Sequence, residues 1–376
     1  MVKLDELRVQ IDDIDRQLVE LYEKRMKISE EVGKFKIEAG RPVFDKEREI
    51  SKLNTVEAMA TSSFNQAGVR ELFENIMSGS RKLQYRLLSE HDTTVSSELV
   101  RVDSLNCKQA RVIFQGIPGA YSQMALHQYF GQDVTTSHVE TFRDAMVAIE
   151  EGRADYAVLP IENSSAGAVT QVYDLLVEYD NYIIGEVKIP IEHTLSAIAG
   201  AKVEDITRVY SHPQALMQSM RFLEKHRGME QISVTNTALA AKKVIVENDM
   251  TQAAICSEYA ANLYGLEVLK RKINHNDNNS TRFIVVTNQR IFVNGATKIS
   301  TCFEIPHESG SLYRLLSNII FNNLNMTKIE SRPIEGRSWE YRFFVDFDGE
   351  MDAPGVKNAL RGIREESKNL RILGNY

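Results

Sequence analysis

The 376-residue chain has only three cysteines, Cys107, Cys256 and Cys302, far apart in sequence. Their spacing suits neither a metal site nor a disulfide framework. Cys256 lies in the run Ala253-Ala254-Ile255-Cys256 and reads as a small buried residue. No apolar run is long enough to cross a bilayer. The opening Met1-Val2-Lys3-Leu4-Asp5-Glu6 lacks the apolar segment of a signal peptide. Positive charge is not in excess, since 45 Lys and Arg stand against 52 Asp and Glu, a net charge of −7. A nucleic-acid binder normally carries a basic face, so that class is disfavoured. No solenoid repeat is visible. The simplest setting is a reducing cytoplasm, with neither a membrane nor a nucleic acid as partner. The chain is 43% hydrophobic, enough for ordinary cores, and its length suits about two or three domains.

The chain up to about residue 90 reads as helices only. Leu4, Leu7, Ile11, Ile14, Leu18, Leu21, Ile28, Val32 and Phe35 follow the three-four spacing of a long helix. Such a stripe should be buried against other helices. Arg25 stands inside it. A guanidinium is costly to bury without a partner, and no acidic residue shares the stripe. A bound anion would satisfy Arg25, and so would snorkelling to water from the seam edge. Lys36 lies close to the same azimuth. A second helix follows Arg41-Pro42-Val43 and opens with Asp45, Arg48 and Glu49. Asp45 and Glu49, spaced i and i+4, should share a face. A third helix near Leu72–Leu88 puts Ser80 and Gln84 on one face. Arg8 lies roughly 25 Å from Arg25 along a straight helix. A small ligand that touches both therefore needs Arg8 from a second copy, which implies a homodimer with paired long helices.

These residues carry a resemblance. Leu7-Arg8, Glu31-Val32-Gly33-Lys34-Phe35-Lys36, Arg41-Pro42-Val43-Phe44-Asp45, Arg48-Glu49, Ser80 and Gln84 resemble the all-helical chorismate mutase family. The resemblance implies an intertwined homodimer that turns chorismate into prephenate. It implies that Arg8 of the partner chain and Arg25 hold the two carboxylates, supported by Arg48 and assisted by Ser80. Lys36 and Gln84 would face the ether oxygen. Glu49, with the backbone near Asp45, would hold the ring hydroxyl. A Claisen rearrangement needs the substrate folded into a near-attack shape and donors where charge develops. It calls for no nucleophile, metal or cofactor.

From His91 to about Ala110 the periodicity fades and reads as a linker. Strands then alternate with helices to about Thr287, and Asn288 to Ala296 reads as a second junction. Four strands run into polar loops: Arg111–Gln115 into Gly116–Ser122, Tyr156–Leu159 into Pro160–Gly167, Arg208–Tyr210 into Ser211-His212-Pro213-Gln214, and Ile232–Val234 into Thr235-Asn236-Thr237. Backbone N–H groups at helix starts attract anions, although Ser, Thr and Asn are also ordinary N-caps. His212 precedes a proline and reads as loop architecture, and His193 has no assigned role. With Asn279-Ser280-Thr281-Arg282-Phe283, residues 108–287 resemble the prephenate dehydratase family. The resemblance implies two α/β lobes arranged like a periplasmic binding protein, with the site in the cleft. It makes Thr281 the essential hydroxyl for the leaving OH group, through a hydrogen-bond relay. Glu162, Asn163, Ser164, Ser211, Gln218 and Thr237 would shape the pocket, and Arg282 would either pair a substrate carboxylate or serve a structural role.

The block Lys298–Tyr376 reads strand, helix, strand, strand, helix, strand, a ferredoxin-like βαββαβ arrangement. It resembles the ACT regulatory domain. Glu330-Ser331-Arg332-Pro333 matches that family's phenylalanine-recognition motif, and Gly310-Ser311-Leu312 departs from its usual Gly-Ala-Leu. These segments would bind L-phenylalanine once two such domains pair. The expected division is 1–90 mutase, 91–109 linker, 110–287 dehydratase and 297–376 ACT. That order is the one expected of the bifunctional chorismate mutase–prephenate dehydratase family. A helical block that only dimerises, a non-enzymatic sensor on a binding-protein fold, and a dehydratase that prefers arogenate are the rival readings. The set Arg8, Arg25, Lys36, Glu49 and Gln84 argues against the first, and Thr281-Arg282-Phe283 against the second.

Overall fold

The computed structural model describes residues 4–91, 99–105, 107 and 109–376. The chain forms two compact units, one from Met1–Ser97 with Thr297–Ile372, the other from Glu98–Ala296 with Leu373–Tyr376.

The first unit begins with three helices, α1 (Leu4–Glu38), α2 (Lys46–Glu57) and α3 (Ser63–His91). The third starts well before the expected Leu72. The Ser62 hydroxyl accepts the Asn65 N–H at 3.2 Å and caps a polar first turn whose lack of apolar period hides it. Asp45 is the N-cap of α2 and accepts the Arg48 N–H at 3.0 Å. Its carboxylate is thus spent on the cap, and it does not share a helical face with Glu49 as expected. Ser29 and Gly33 are the buried residues of α1. The apolar stripe is not buried within the chain: its nine members are 41% to 63% exposed. Among the described residues, none covers it.

The second unit holds β1 (Val100–Val102), β2 (Arg111–Gln115), α4 (Tyr121–Phe130), β3 (Thr135–Val139), α5 (Phe142–Glu150), β4 (Tyr156–Asn163), β5 (Gly167–Ala168), α6 (Thr170–Glu178) and β6 (Tyr182–Pro190). It continues with β7 (Thr194–Ala197), β8 (Arg208–Ser211), α7 (Pro213–Gln218), α8 (Met220–Leu223), β9 (Glu230–Ser233), α9 (Thr237–Glu247), β10 (Gln252–Cys256), α10 (Glu258–Tyr264), β11 (Glu267–Lys270), β12 (Ser280–Thr287) and β13 (Ile291–Val293). One sheet path runs β6-β12-β4-β2-β3, and a second sheet runs β11-β7-β10-β8-β9. Each has its own apolar core. Val112, Phe114, Val158 and Val285 belong to the first, and Leu195, Val209, Ala253 and Ile255 lie under the second. The two sheets are the two α/β lobes.

Two expectations need correction here. Residues 100–102 fall in the expected linker but form β1, which pairs in parallel with β13 from the expected second junction. Each is too short to read alone and is made by the other. Tyr156–Leu159 does not end in a loop. The strand β4 continues through Glu162 and Asn163 because it pairs antiparallel with β12, and a register shift between Arg282 and Phe283 accommodates Pro160. Its loop leads into β5, not directly into a helix.

The first unit is completed by β14 (Lys298–Glu304), α11 (Ser311–Ile320), β15 (Met326–Pro333), β16 (Tyr341–Asp348), α12 (Pro354–Glu366) and β17 (Lys368–Asn375) as far as Ile372. The order β15-β16-β14-β17 with two helices is the ferredoxin-like arrangement. The helix α12 packs against both α11 and α3.

Candidate functional sites

In the helical part, Arg25 Nη1 donates to Ser80 Oγ at 2.6 Å. Ser29 Oγ donates to the same oxygen at 3.2 Å, and Ser80 in turn donates to Ile76 O at 2.9 Å. Arg25 therefore hydrogen-bonds a hydroxyl and no carboxylate, and burial lowers its pKa against the smaller raising effects of Tyr22 and Glu49. One turn beyond Gly33, Lys36 Nζ donates to Val43 O at 2.6 Å. Gln84 is buried, and its Oε1 has no hydrogen-bond partner among the described residues. A Cβ on Gly33 would stand 2.9 Å from Gln84 Cγ, so the glycine sets the approach of α3 to α1. Glu49 pairs with Arg81, a residue the sequence reading passed over. Burial alone would lower the Arg81 pKa, but Glu49 and Glu366 outweigh it and raise it. Arg48 is exposed. Arg8 is also exposed and meets only Asp5, one turn away at 3.3 Å. One chain thus assembles Arg25, Ser80, Lys36, Gln84 and Glu49 on contacting helices and leaves Arg8 outside.

In the second unit, Thr281 is 9% exposed and its hydroxyl accepts from Asn163 Nδ2 at 2.9 Å. Asn163 Nδ2 also approaches Asn279 Oδ1 at 2.9 Å, and its Oδ1 accepts the Ser165 and Ala166 N–H groups. Ser164 Oγ accepts the Ser280 N–H at 3.0 Å. Thr281, Asn163 and Ser164 therefore stand together. Glu162 and Arg282 do not join them. Consecutive strand residues face opposite sides, and the register pairs Thr281 with Asn163 and Arg282 with Glu162. Arg282 reaches Glu186 at 3.1 Å and Glu162 at 3.5 Å. Its charge is already matched by two carboxylates, which favours the structural of the two roles open to it.

Ser211 is fully buried and donates to Ile255 O at 2.6 Å, so it ties β8 to β10 instead of lining an open pocket. Thr237 is the first residue of α9 after the cap Asn236, and half-buried. Gln218 Oε1 lies 3.0 Å from His193 Nε2, and His193 Nδ1 lies 3.2 Å from Tyr121 Oη. Burial lowers the His193 pKa, so the ring is neutral. His193 was the unassigned histidine. A chain of amides then runs on: Asn274 accepts the His193 N–H at 3.0 Å and donates to Asn276 O at 2.8 Å, and Asn276 donates to Ser165 Oγ at 3.0 Å. The Asn-rich run before Thr281 was the overlooked signal, because it links Gln218 of one lobe to the Asn163–Thr281 cluster of the other. His212 caps α7 and accepts the Gln214 N–H at 3.1 Å, as loop architecture requires.

In the ferredoxin-like part, a cavity of about 370 Å³ is lined by Pro306, Gly310, Ser311, Leu312, Trp339 and Tyr341, among others. Gly310 caps α11 at φ +76°, a conformation that side chains strain. The Glu330–Pro333 segment does not line it. Those residues lie within β15, an edge strand paired with β16, and within one chain the apolar lining of the cavity includes Trp339, Tyr341 and Phe343. Among the described residues, no group of three or more His, Cys, Asp or Glu is placed to hold a metal, and no helix is long and apolar enough to cross a membrane.

Residues 7–85 match the family chorismate mutase type II, and residues 112–291 match prephenate dehydratase. A bifunctional chorismate mutase/prephenate dehydratase of Aquifex aeolicus is 33% identical over 100% of this chain and 98% of its own. The chain belongs to the bifunctional chorismate mutase/prephenate dehydratase family. It carries both activities, an isomerase and a lyase of phenylalanine biosynthesis. Among solved structures, a prephenate dehydratase from Arthrobacter aurescens in complex with L-Phe is 31% identical, with a TM-score of 0.66, over 71% of this chain and 89% of that one. A chain described as GqqA, a novel type of quorum quenching acylase, is 33% identical, with a TM-score of 0.64, over 70% of this chain and 96% of that one.

Proposed function

We propose that chorismate binds on α1, α2 and α3 of one protomer and is closed in by Arg8 of a second copy. The observation that carries this is Arg25, half-buried on α1, whose hydrogen bond goes to a hydroxyl and not to a carboxylate, with Glu49 acting on it only at a distance. An anion is the partner such a group lacks. Arg25 and the partner's Arg8 hold the two carboxylates, with Arg48 and Ser80 in support. Lys36 and Gln84 face the ether oxygen, and Glu49 holds the ring hydroxyl. Fixed donors at the ether oxygen favour the charge that develops as the C–O bond breaks. The exposed stripe on α1 is the surface the second copy covers, so the working form is a homodimer or a higher oligomer.

Prephenate then binds between the two lobes. Asn163 fills a lone pair of Thr281 Oγ1, and among the described residues that hydroxyl donates to no protein group. Its proton is free for the leaving ring OH as carbon dioxide departs and phenylpyruvate forms. A threonine is too weak an acid to protonate alone, so it acts as a hydrogen-bond relay. Gln218, held by the neutral His193, shapes the opposite side. No cofactor is required in either step. L-phenylalanine binds the cavity around Gly310–Leu312 in an ACT domain spanning residues 297–376, and inhibits by favouring a low-activity arrangement. The mutase spans 1–90 and the dehydratase 110–287, in a cytoplasmic enzyme.

Feeding chorismate to the pure protein, with and without L-phenylalanine, tests the whole reading. Prephenate should appear first and phenylpyruvate second, the latter suppressed by the effector. Trp339, the chain's single tryptophan, lines the cavity, so the same effector should change its fluorescence. Unchanged fluorescence together with full inhibition would place the effector elsewhere.

A further inference from the structure

Arg81 of α3 has a side chain only 11% exposed. Its guanidinium serves three neighbours, on two helices and the loop before α2. One Nη group pairs with Oε2 of Glu49 on α2. The other donates to Oε1 of Glu366 on α12 at 2.9 Å. The plane lies over the Phe44 ring, 5.0 Å from its centroid. Oε1 of Glu49 has no hydrogen-bond partner among the described residues. The next residue, Lys82, is gripped by the same block: Nζ donates to Ser317 at 3.1 Å and lies 3.5 Å from the Phe321 ring centroid, and its carbonyl accepts from Asn358 at 3.3 Å.

We propose that Arg81 is a positioning residue for the mutase reaction, holding one oxygen of Glu49 so that the other faces the substrate's ring hydroxyl, and that Glu366 anchors Arg81 in turn. This rests on the assignment of Glu49 to that hydroxyl. A glutamate on an exposed first turn samples several rotamers, and fixing it costs side-chain entropy. A planar fork held on both sides supplies that restraint in advance. Only a guanidinium reaches two carboxylates in opposite directions, since a lysine presents a single point charge. Oε2 of Glu366 is buried without a hydrogen-bond partner, so that carboxylate is placed for Arg81 and not for its own satisfaction. The ring hydroxyl takes no part in the bonds made or broken. Its contact is therefore equally strong in substrate and transition state, and its loss should appear in KM.

The test uses full-length enzyme carrying Arg81→Met, Arg81→Lys, Glu366→Gln, Glu49→Gln, and Arg81→Met combined with Glu49→Gln. Dehydration of supplied prephenate, unchanged throughout, verifies the fold. Glu49→Gln and Arg81→Met should each raise the chorismate KM roughly tenfold, with kcat within about twofold. Arg81→Lys should recover part of the loss. Glu366→Gln should raise KM about threefold. The double variant should be no worse than Glu49→Gln alone, because Arg81 acts through Glu49. An Arg81→Met effect that falls on kcat, or that multiplies with Glu49→Gln, would overturn the positioning role. An unchanged KM in Glu49→Gln would overturn the ring-hydroxyl assignment itself, and the positioning role with it.

Discussion

Gly33→Ala is a small perturbation with a calculable consequence. Alanine is the better helix former by about 1 kcal/mol, so on propensity alone α1 should gain stability. The structure opposes this. The new Cβ would lie 2.9 Å from Gln84 Cγ, 3.2 Å from Leu87 Cδ1 and 3.4 Å from Gln84 Cβ. The first distance is shorter than real contacts allow, and Gln84 Cβ and Cγ are not the free end of a flexible chain. α3 must therefore move away by some tenths of an ångström, or Gln84 must change rotamer. Overpacking of this kind costs about 1–3 kcal/mol, so the net change should run from about zero to a loss of about 2 kcal/mol. The effect on activity should be larger, because Gln84 and Lys36 must meet one ether oxygen. A displacement near 1 Å costs up to about a hundredfold in rate. Mutase and dehydratase rates should be measured on the same sample, with thermal unfolding alongside. The expected result is a mutase rate down by about tenfold or more, with normal dehydration. A Gly33→Ala enzyme that is more stable and rearranges chorismate at the normal rate would refute the close-approach argument.

Three further outcomes are expected. Thr281→Ala should lower dehydration by about a hundredfold or more and leave the mutase intact, so that prephenate accumulates from chorismate. Normal phenylpyruvate formation would show that another group serves the leaving hydroxyl. Arg8→Ala and Arg25→Ala chains, each inactive as mutase, should recover roughly a quarter of normal activity when mixed and refolded, because half the dimers are mixed and each builds one intact site. Confirmed heterodimers without activity would exclude a shared site. Burial pushes the Glu365 carboxyl up to about 7. The folded protein then binds the proton more tightly than the unfolded chain, so this group lowers stability as pH rises from about 4.5 to 7. Glu365→Gln should flatten the fall in Tm across that window, and parallel curves for the two proteins would rule the effect out.

The sequence displayed its helices better than its strands, for local reasons. α1 announces itself through nine apolar positions at one spacing, and Asp45 through its cap. The exposure of that apolar stripe was invisible, because nothing in the sequence says that no described residue of the same chain buries it. β4 was cut short because a proline normally stops a strand, and only the register shift opposite Pro160 removes the conflict. β1 and β13 have three residues each and exist only as a pair. Within the candidate sites, strand parity already implied that Thr281 and Arg282 face opposite ways, and adjacency in a motif concealed it. His193 and Arg81 were missed for another reason. His193 finds Tyr121 and Gln218 72 and 25 positions away, and Arg81 finds Glu49 and Glu366 32 and 285 positions away. No short window contains such a constellation.

The first unit is assembled from two stretches separated by Glu98–Ala296 of the second. Its helices leave the ribosome long before residue 297, and at ordinary elongation rates the wait for their packing partners is on the order of tens of seconds. During that interval Arg81 has Glu49 but not Glu366, Lys82 has neither Ser317 nor Phe321, and the apolar face of α1 is open to any neighbour. If the helices pair as proposed, two nascent chains on one messenger can meet under those circumstances before either has finished, and translation order gives that pairing a head start over everything that later closes around it.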